Sequence, residues 1–283
     1  MRPYQWVKNF FIFLPLIFGK KLLDPVVLAK AGLMFLLFSF AASAVYLVND
    51  VFDREKDKFH RLKRLRPVAS GKIKPEQALA AAAALGFAAL TGSFLLQKEL
   101  GLIVLAYIVF NFLYSKVLKD LVIIDVFCIG FFFLLRVLAG TAAAGVPSSY
   151  WMIAMTFLLA LFLGFNKRRQ EIRMYRGEAL RQRGVLTKYN VYFIDQMIAV
   201  LTSSVVVVYM LYTVDARTVA EFGTTHLLYS IPFVYYGIFR YLYIVHKTAR
   251  GEDPTRVFFT DRMTGLNLFL WASVCVMVIY FKI

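Results

Sequence analysis

The chain has 283 residues, 60% of them hydrophobic and 28 of them Phe, with a mean hydropathy of +0.65 and a formal net charge of +16. That balance excludes an ordinary soluble globular protein and points to an all-α polytopic membrane protein. It also gives no reason to invoke nucleic acid, because the Lys and Arg residues fall in short loops between apolar runs, as membrane orientation requires.

The first apolar run, Phe10 to Phe18, follows Arg2 and Lys8 and leads into Gly19, Lys20 and Lys21 without a small-residue cleavage pattern. It is predicted to be a short first membrane helix that stays in place. Helix two is predicted from about Val26 to Phe52. Helices three and four, about Pro75 to Leu96 and Leu100 to Ser115, form a hairpin, with Pro75 at a favourable first-turn position. Five spans about Leu121 to Ala144, six Tyr150 to Asn166 and seven Val191 to Thr213. Eight spans about Leu227 to His246 and nine Met263 to Phe281. The expectation is nine transmembrane helices in a single domain over residues 1–283, with no internal repeat. The Ala80 to Ala84 run, and Gly140 with Ala144, would let helices approach closely. Cys128 and Cys275 each lie inside an apolar run, which argues against a disulfide or zinc site, and His60, His226 and His246 show no ligand spacing.

With the amino terminus in the cytoplasm, 25 of the 33 Lys and Arg fall on the cytoplasmic side. That asymmetry places every charged loop on the face where soluble phosphorylated metabolites are found.

Helix two ends in the segment Asn49 to Lys74. Asn49, Asp53 and Asp57 recur every four residues, so on a continuing helix their oxygen-bearing side chains share a face, with Asp50 beside them. Oxygen ligands grouped in this way suit a hard cation such as Mg²⁺, which keeps several waters and shares its remaining positions with phosphate oxygens. Lys56, Lys58, Arg61, Lys63, Arg64 and Arg66 follow at once. A solvated helix end laced with ion pairs is the plain alternative. An acidic cluster at a membrane boundary is not needed for topology, however, and favours a site for a magnesium-bound diphosphate.

Further charges gather on the same predicted side. Tyr114, Lys119 and Asp120 end helix four, and Asp261 and Arg262 close the last loop. Lys167, Arg168, Arg169 and Glu171 stand where helix six leaves the membrane. Their plain reading is positive-inside anchoring, whereas Arg at an apolar boundary also grips lipid phosphate. Asp125 and Arg136 in helix five, and Arg240 in helix eight, are intramembrane charges that face a polar cavity or pair with neighbouring helices.

Asn49-x-x-x-Asp53-x-x-x-Asp57, followed by Arg64-x-Arg66-Pro67-Val68-x-Ser70-Gly71, resembles the first signature of the UbiA superfamily of intramembrane prenyltransferases. The resemblance implies a nine-helix bundle around a central cavity, with Asn49, Asp50, Asp53 and Asp57 holding Mg²⁺ and a diphosphate. Most aromatic prenyltransferases of this kind carry a second Asp-rich motif after helix six. This chain departs from that pattern, having Lys167, Arg168, Arg169 and only Glu171 there.

The departure resembles the decaprenyl-phosphate phosphoribosyltransferase branch. So do Arg2-Pro3-x-Gln5-Trp6-Val7-Lys8-Asn9, Arg240-Tyr241 and Asp261-Arg262. That resemblance implies transfer of 5-phosphoribose from phosphoribosyl diphosphate to a polyprenyl phosphate at the cytoplasmic face of the plasma membrane, feeding arabinose donors for the cell envelope. Lys63, Arg64, Arg66 and Lys119 then become candidates for the sugar donor's phosphates. Lys167, Arg168 and Arg240 become candidates for the lipid phosphate or the donor's 5-phosphate, and Lys8, Tyr114, Arg136, Glu171, Asp261 and Arg262 complete the substrate-binding set. These basic assignments are interchangeable at this stage, and a homo-oligomer stays open. Two alternatives also stay open: transfer of a polyprenyl group from its diphosphate to an aromatic acceptor such as 4-hydroxybenzoate, and transport of an anionic lipid.

Overall fold

The computed structural model describes residues 3–59, 63–174, 184–247 and 261–282, and every regular element among them is helical. Among the described residues seven helices are long and apolar enough to cross a membrane. Contacts within the chain divide it into two compact units, the first comprising the described residues through Ser148 and the second those from Ser149 onward.

In the first unit a 3₁₀ segment, Pro3–Phe13, runs into the short helix α1 (Leu14–Phe18). Helix α2 (Pro25–Phe52) starts at Asp24, whose carboxylate accepts from the Val26 and Val27 N–H groups at 3.0 and 3.2 Å. After a short helix, α3 (Arg54–Lys58), come α4 (Pro75–Leu96), α5 (Lys98–Lys116) and α6 (Ile124–Ala144). Helices α2 and α6 are 56% and 61% buried over their apolar windows, against 17% for α4, so α2 and α6 form the centre of this unit. The outward face of α4 carries exposed Leu79, Phe87, Phe94 and Leu95, as a lipid-facing surface requires. Of the Ala80 to Ala84 run only Ala82 is buried. The small-residue stripe facing inward is Ala78, Ala82 and Ala89, set by helical spacing rather than by the run itself.

The expected close approach at Gly140 is present. A Cβ there would lie 2.8 Å from the carbonyl carbon of Ile12, so only glycine admits the 3₁₀ backbone against α6. That segment is pinned by three hydrogen bonds: Trp6 Nε1 to Ser43 Oγ (3.1 Å), Asn9 Nδ2 to Ser39 Oγ (2.8 Å) and Arg136 Nε to Asn9 Oδ1 (2.8 Å).

The second unit holds α7 (Tyr150–Met174), α8 (Val191–Val214), α9 (Ala216–Phe222), α10 (Ile231–Lys247) and α11 (Arg262–Val276), the last extended by a π turn, Met277–Phe281. Helix α7 continues eight residues beyond the predicted end at Asn166. The apolar pattern stops there, but Lys, Arg, Gln and Glu are good helix formers and the turn is held by an Arg168–Glu171 pair at 2.5 Å. The eighth predicted helix begins later, at Ile231, behind a 3₁₀ turn His226–Ser230. Tyr209 of α8 accepts from Trp271 Nε1 (2.9 Å) and shares a 2.6 Å hydrogen bond with Ser230, tying α8 and α11 to that turn. Cys128 and Cys275 are buried and free.

Candidate functional site

The acidic residues lie where α2 ends. Asp53 follows its last turn with φ −89° and ψ 2°, and α3 begins at the next residue. Across this break the Asp53 N–H donates to Asn49 O at 2.9 Å and the Asp57 N–H to Asp53 O at 2.8 Å, so the helical register persists. Asn49, Asp53 and Asp57 therefore keep the common face that their spacing predicts.

Arg66 closes that face. Its Nη1 lies 2.5 Å from Asp57 Oδ2 and 3.2 Å from Asp50 Oδ1, so carboxylates from both sides of the α2–α3 junction converge on one nitrogen. Lys119 Nζ lies 3.6 Å from Asp53 Oδ1, and Ser115 Oγ donates to Asn49 Oδ1 at 2.8 Å. Glu55 takes no part, being paired with Lys58 at 2.7 Å.

The sequence Arg66-Pro67-Val68-Ala69-Ser70-Gly71 folds into the tight turn that aims Arg66. Ser70 N–H donates to Arg66 O (2.8 Å), Ile73 N–H to Pro67 O (3.0 Å), and Gly71 sits at φ +76°, a conformation open to glycine at little cost. Val68 and Ala69 anchor the turn by burial. The turn carrying Lys119 (Leu118–Asp120) reaches α6 through Ile123 at φ 70°, which costs a β-branched residue about 1–3 kcal/mol.

Among the described residues no three Asp, Glu, His or Cys side chains gather closely enough to enclose a metal by themselves. The donor set still fits Mg²⁺ in the form that ion prefers. Asp50 and Asp57 bring hard oxygens to one point and Asn49 and Asp53 add two more on the same face, a set that would leave the ion's other positions to water or other oxygen ligands.

The remaining predicted residues of the first unit fall into three groups. Arg66 and Lys119, expected on phosphates, here hold carboxylates; Arg64 is exposed, and the Lys63 side chain lies outside the described residues. Lys8 and Tyr114 are half-buried, the Tyr114 ring standing edge-on to Phe132 at 5.7 Å. Arg136 is a core residue of the first unit. It donates to Asn9 Oδ1, Phe132 O and Tyr107 Oη (2.8, 2.6 and 3.4 Å) and lies 5.1–5.6 Å from the rings of Phe38, Tyr107 and Phe133.

In the second unit Lys167 is half-buried, Arg168 is buried and paired with Glu171, and buried Arg169 is bound to Asp195 of α8. Arg240 grips Asp261 with two bonds of 3.1 and 2.8 Å, while the same carboxylate accepts from Thr264 N–H (2.9 Å) and Thr264 Oγ1 (2.7 Å) and so caps α11. The Arg240 guanidinium, with Thr264, holds the Asp261 carboxyl well below the usual carboxylate range. Arg262 is exposed. Sequence reasoning missed Ser115, Asp195 and the role of Asn9, since a single polar residue in an apolar run carries no signal of what it will face.

A model of the UbiA prenyltransferase family matches residues 12–277, nearly the whole chain. The chain belongs to the UbiA prenyltransferase family. Its UbiA relatives include the decaprenyl-phosphate phosphoribosyltransferase of Mycobacterium tuberculosis (strain ATCC 25618 / H37Rv), 31% identical over 277 residues that cover 96% of this chain and 90% of that one. Those of Mycolicibacterium smegmatis and Corynebacterium glutamicum are 28% and 30% identical, covering 100% and 99% of this chain and 92% and 85% of theirs. The UbiA fold itself is shared with a homologue from Archaeoglobus fulgidus bound to GPP and Mg²⁺, at a TM-score of 0.72 and 18% identity, with 98% of this chain and 97% of that one covered. The chain is thus a multi-pass membrane protein of all-helical UbiA architecture.

Proposed function

We propose that this protein transfers 5-phosphoribose from phosphoribosyl diphosphate to a polyprenyl phosphate of the decaprenyl type, with release of diphosphate, for synthesis of cell-envelope arabinan precursors. The observation that carries this reading is the composition of α7. Its one carboxylate is Glu171, and Arg168 holds it, whereas Lys167, Arg168 and Arg169 make the segment suited to anions rather than to a second metal. Full-length similarity to the mycobacterial and corynebacterial phosphoribosyltransferases supports the same donor and acceptor.

A phosphate monoester is already an anion at neutral pH and needs no general base. One of its oxygens forms a bond to ribose C1 as the bond from C1 to the diphosphate oxygen breaks, the electron pair leaving with diphosphate. When bound, Mg²⁺ would neutralise the charge that builds on that leaving group. Asn49, Asp50, Asp53 and Asp57 would hold the ion, and Arg66 and Lys119 stand beside them as donors that a diphosphate can recruit from the carboxylates. Lys167, Arg168 and Arg240 are the candidates for the lipid phosphate or the donor's 5-phosphate, and Arg168 and Arg240 would be recruited in the same way from Glu171 and Asp261.

The reading includes nine membrane-crossing segments around a central cavity, forming one catalytic domain, with the acidic site on the cytoplasmic side of the plasma membrane. The seven long helices are joined in it by two shorter stretches. A 3₁₀ helix rises about 2.0 Å per residue, so Pro3–Phe13 with α1 reaches about 30 Å, and the 3₁₀ turn with α10 reaches about 35 Å, enough for a hydrocarbon core of about 30 Å.

The test is an assay of purified protein in detergent with Mg²⁺, offered either polyprenyl phosphate with phosphoribosyl diphosphate or polyprenyl diphosphate with 4-hydroxybenzoate. Product from the first pair alone is expected. Product from the second alone would return the protein to aromatic prenyl transfer.

A further inference from the structure

Four buried polar atoms without a hydrogen-bond partner among the described residues fall within residues 166–170 of α7: Asn166 Oδ1, Arg169 Nη1, and both Nε2 and Oε1 of Gln170. Asn166, Arg169 and Gln170 are 0%, 2% and 6% exposed. At about 100° per residue positions 166, 169 and 170 share a helix face, while 167, 168 and 171 project elsewhere. The other polar atoms of the set are already placed: Asn166 Nδ2 donates to Phe162 O at 2.8 Å, and Arg169 is bound through Nε to Asp195. Folded interiors pair nearly all their buried polar atoms, so a glutamine bare at both ends, on the same helix as buried Phe162 and Phe165, is not explained by packing. A leucine or methionine would fill that place without leaving amide atoms unpaired.

The chemistry of the four atoms selects a ligand. Two are neutral amide oxygens, which accept only; one is an amide nitrogen and one a guanidinium nitrogen, which donate. A diphosphate offers acceptor oxygens alone and would leave both amide oxygens bare, and a prenyl chain offers nothing to any of the four. A sugar phosphate supplies hydroxyl donors for the amides and anionic oxygens for the cation.

We propose that Asn166, Arg169 and Gln170 form a subsite for the hydroxyl-bearing sugar phosphate part of the donor. The two amide oxygens accept from ribose hydroxyls, while Gln170 Nε2 and Arg169 Nη1 donate to oxygens of the same group. This rests on the phosphoribosyl reading and adds the residues that tell a sugar donor from a prenyl diphosphate.

The experiment uses the full chain in detergent and two variants, Gln170→Met and Asn166→Leu. Because the atoms removed are unpartnered, Gln170→Met should unfold at the wild-type temperature or above it. Binding of ribose 5-phosphate, and of inorganic diphosphate with Mg²⁺ as control, is measured by calorimetry, alongside KM for phosphoribosyl diphosphate. Loss of one or two hydrogen bonds predicts about tenfold weaker ribose 5-phosphate binding and about tenfold higher KM in each variant. Diphosphate affinity should stay within about twofold of wild type. Unchanged sugar phosphate binding and KM in both variants, with the wild type transferring phosphoribose, overturns the subsite and leaves the function standing. Parallel loss of diphosphate affinity also overturns it, because the effect is then structural. A wild type that neither binds ribose 5-phosphate nor transfers phosphoribose overturns the function, and the subsite with it.

Discussion

Replacing Arg66 with methionine removes one cation that touches two carboxylates. The Asp50 and Asp57 side chains are 9% and 5% exposed and that of Arg66 is 24% exposed. Removing one partner of a buried ion pair costs about 3–5 kcal/mol, and the partial exposure of Arg66 brings the expected loss to about 2–3 kcal/mol. A divalent ion on the same oxygens would supply the missing charge. Linkage sets the scale: an ion at about 100 times its Kd returns about 2.7 kcal/mol, close to the deficit. Arg66→Met should therefore unfold at lower temperature than wild type in EDTA and recover more on addition of Mg²⁺ than wild type gains, because in wild type the ion must first displace Arg66. Thermal unfolding in detergent, followed as loss of the monodisperse peak, reads both effects. A variant that unfolds with wild type in EDTA would refute the electrostatic role of Arg66. One that is destabilised yet deaf to Mg²⁺ would refute the metal assignment.

Asn9→Leu should cost about 2–4 kcal/mol, by stripping one hydrogen bond from the Arg136 guanidinium and one from Ser39, while Asn9→Asp should cost less because it keeps an acceptor for Arg136. Wild-type unfolding temperature in Asn9→Leu would contradict this. Asp261 has a carboxyl pKa depressed in the folded chain from an ordinary 3.8, so its contribution is present above that value and is lost as pH falls through the lower, folded one. Asp261→Asn should accordingly be less stable than wild type by about 1 kcal/mol at pH 7, with the gap narrowing only below about pH 4. A gap that is the same at pH 3 and pH 7 would mean that the carboxylate's charge is not what Arg240 and Thr264 use.

What the sequence discloses follows from the reach of each signal. Pro75 and the end of the apolar run at Leu96 bound α4 to the residue, because the start signal and the hydrophobic pattern coincide there. The four-residue spacing of Asn49, Asp53 and Asp57 discloses their shared face, because helical periodicity is local. The end of α7 is not disclosed, since a membrane helix that continues into polar surroundings loses its apolar pattern while keeping its backbone bonds. Nor is the partner of a cation that reaches beyond its own helical turn: Arg66 reaches back to Asp50 and Asp57, Lys119 to Asp53, and Arg136 to Asn9 across 127 positions of chain. Such pairs depend on which helices pack together, and residue spacing is silent about that.

The most direct measurement of the central claim uses phosphoribosyl diphosphate carrying one isotope in the ribose ring and another in the β-phosphorus, with polyprenyl phosphate, Mg²⁺ and purified protein. The account predicts that the ribose label enters the lipid extract while the β-phosphorus label stays in water as diphosphate, and that Asp57→Ala abolishes both while the protein remains folded. Both labels entering the lipid together, or neither moving in the wild type, would contradict displacement at ribose C1 by the lipid phosphate.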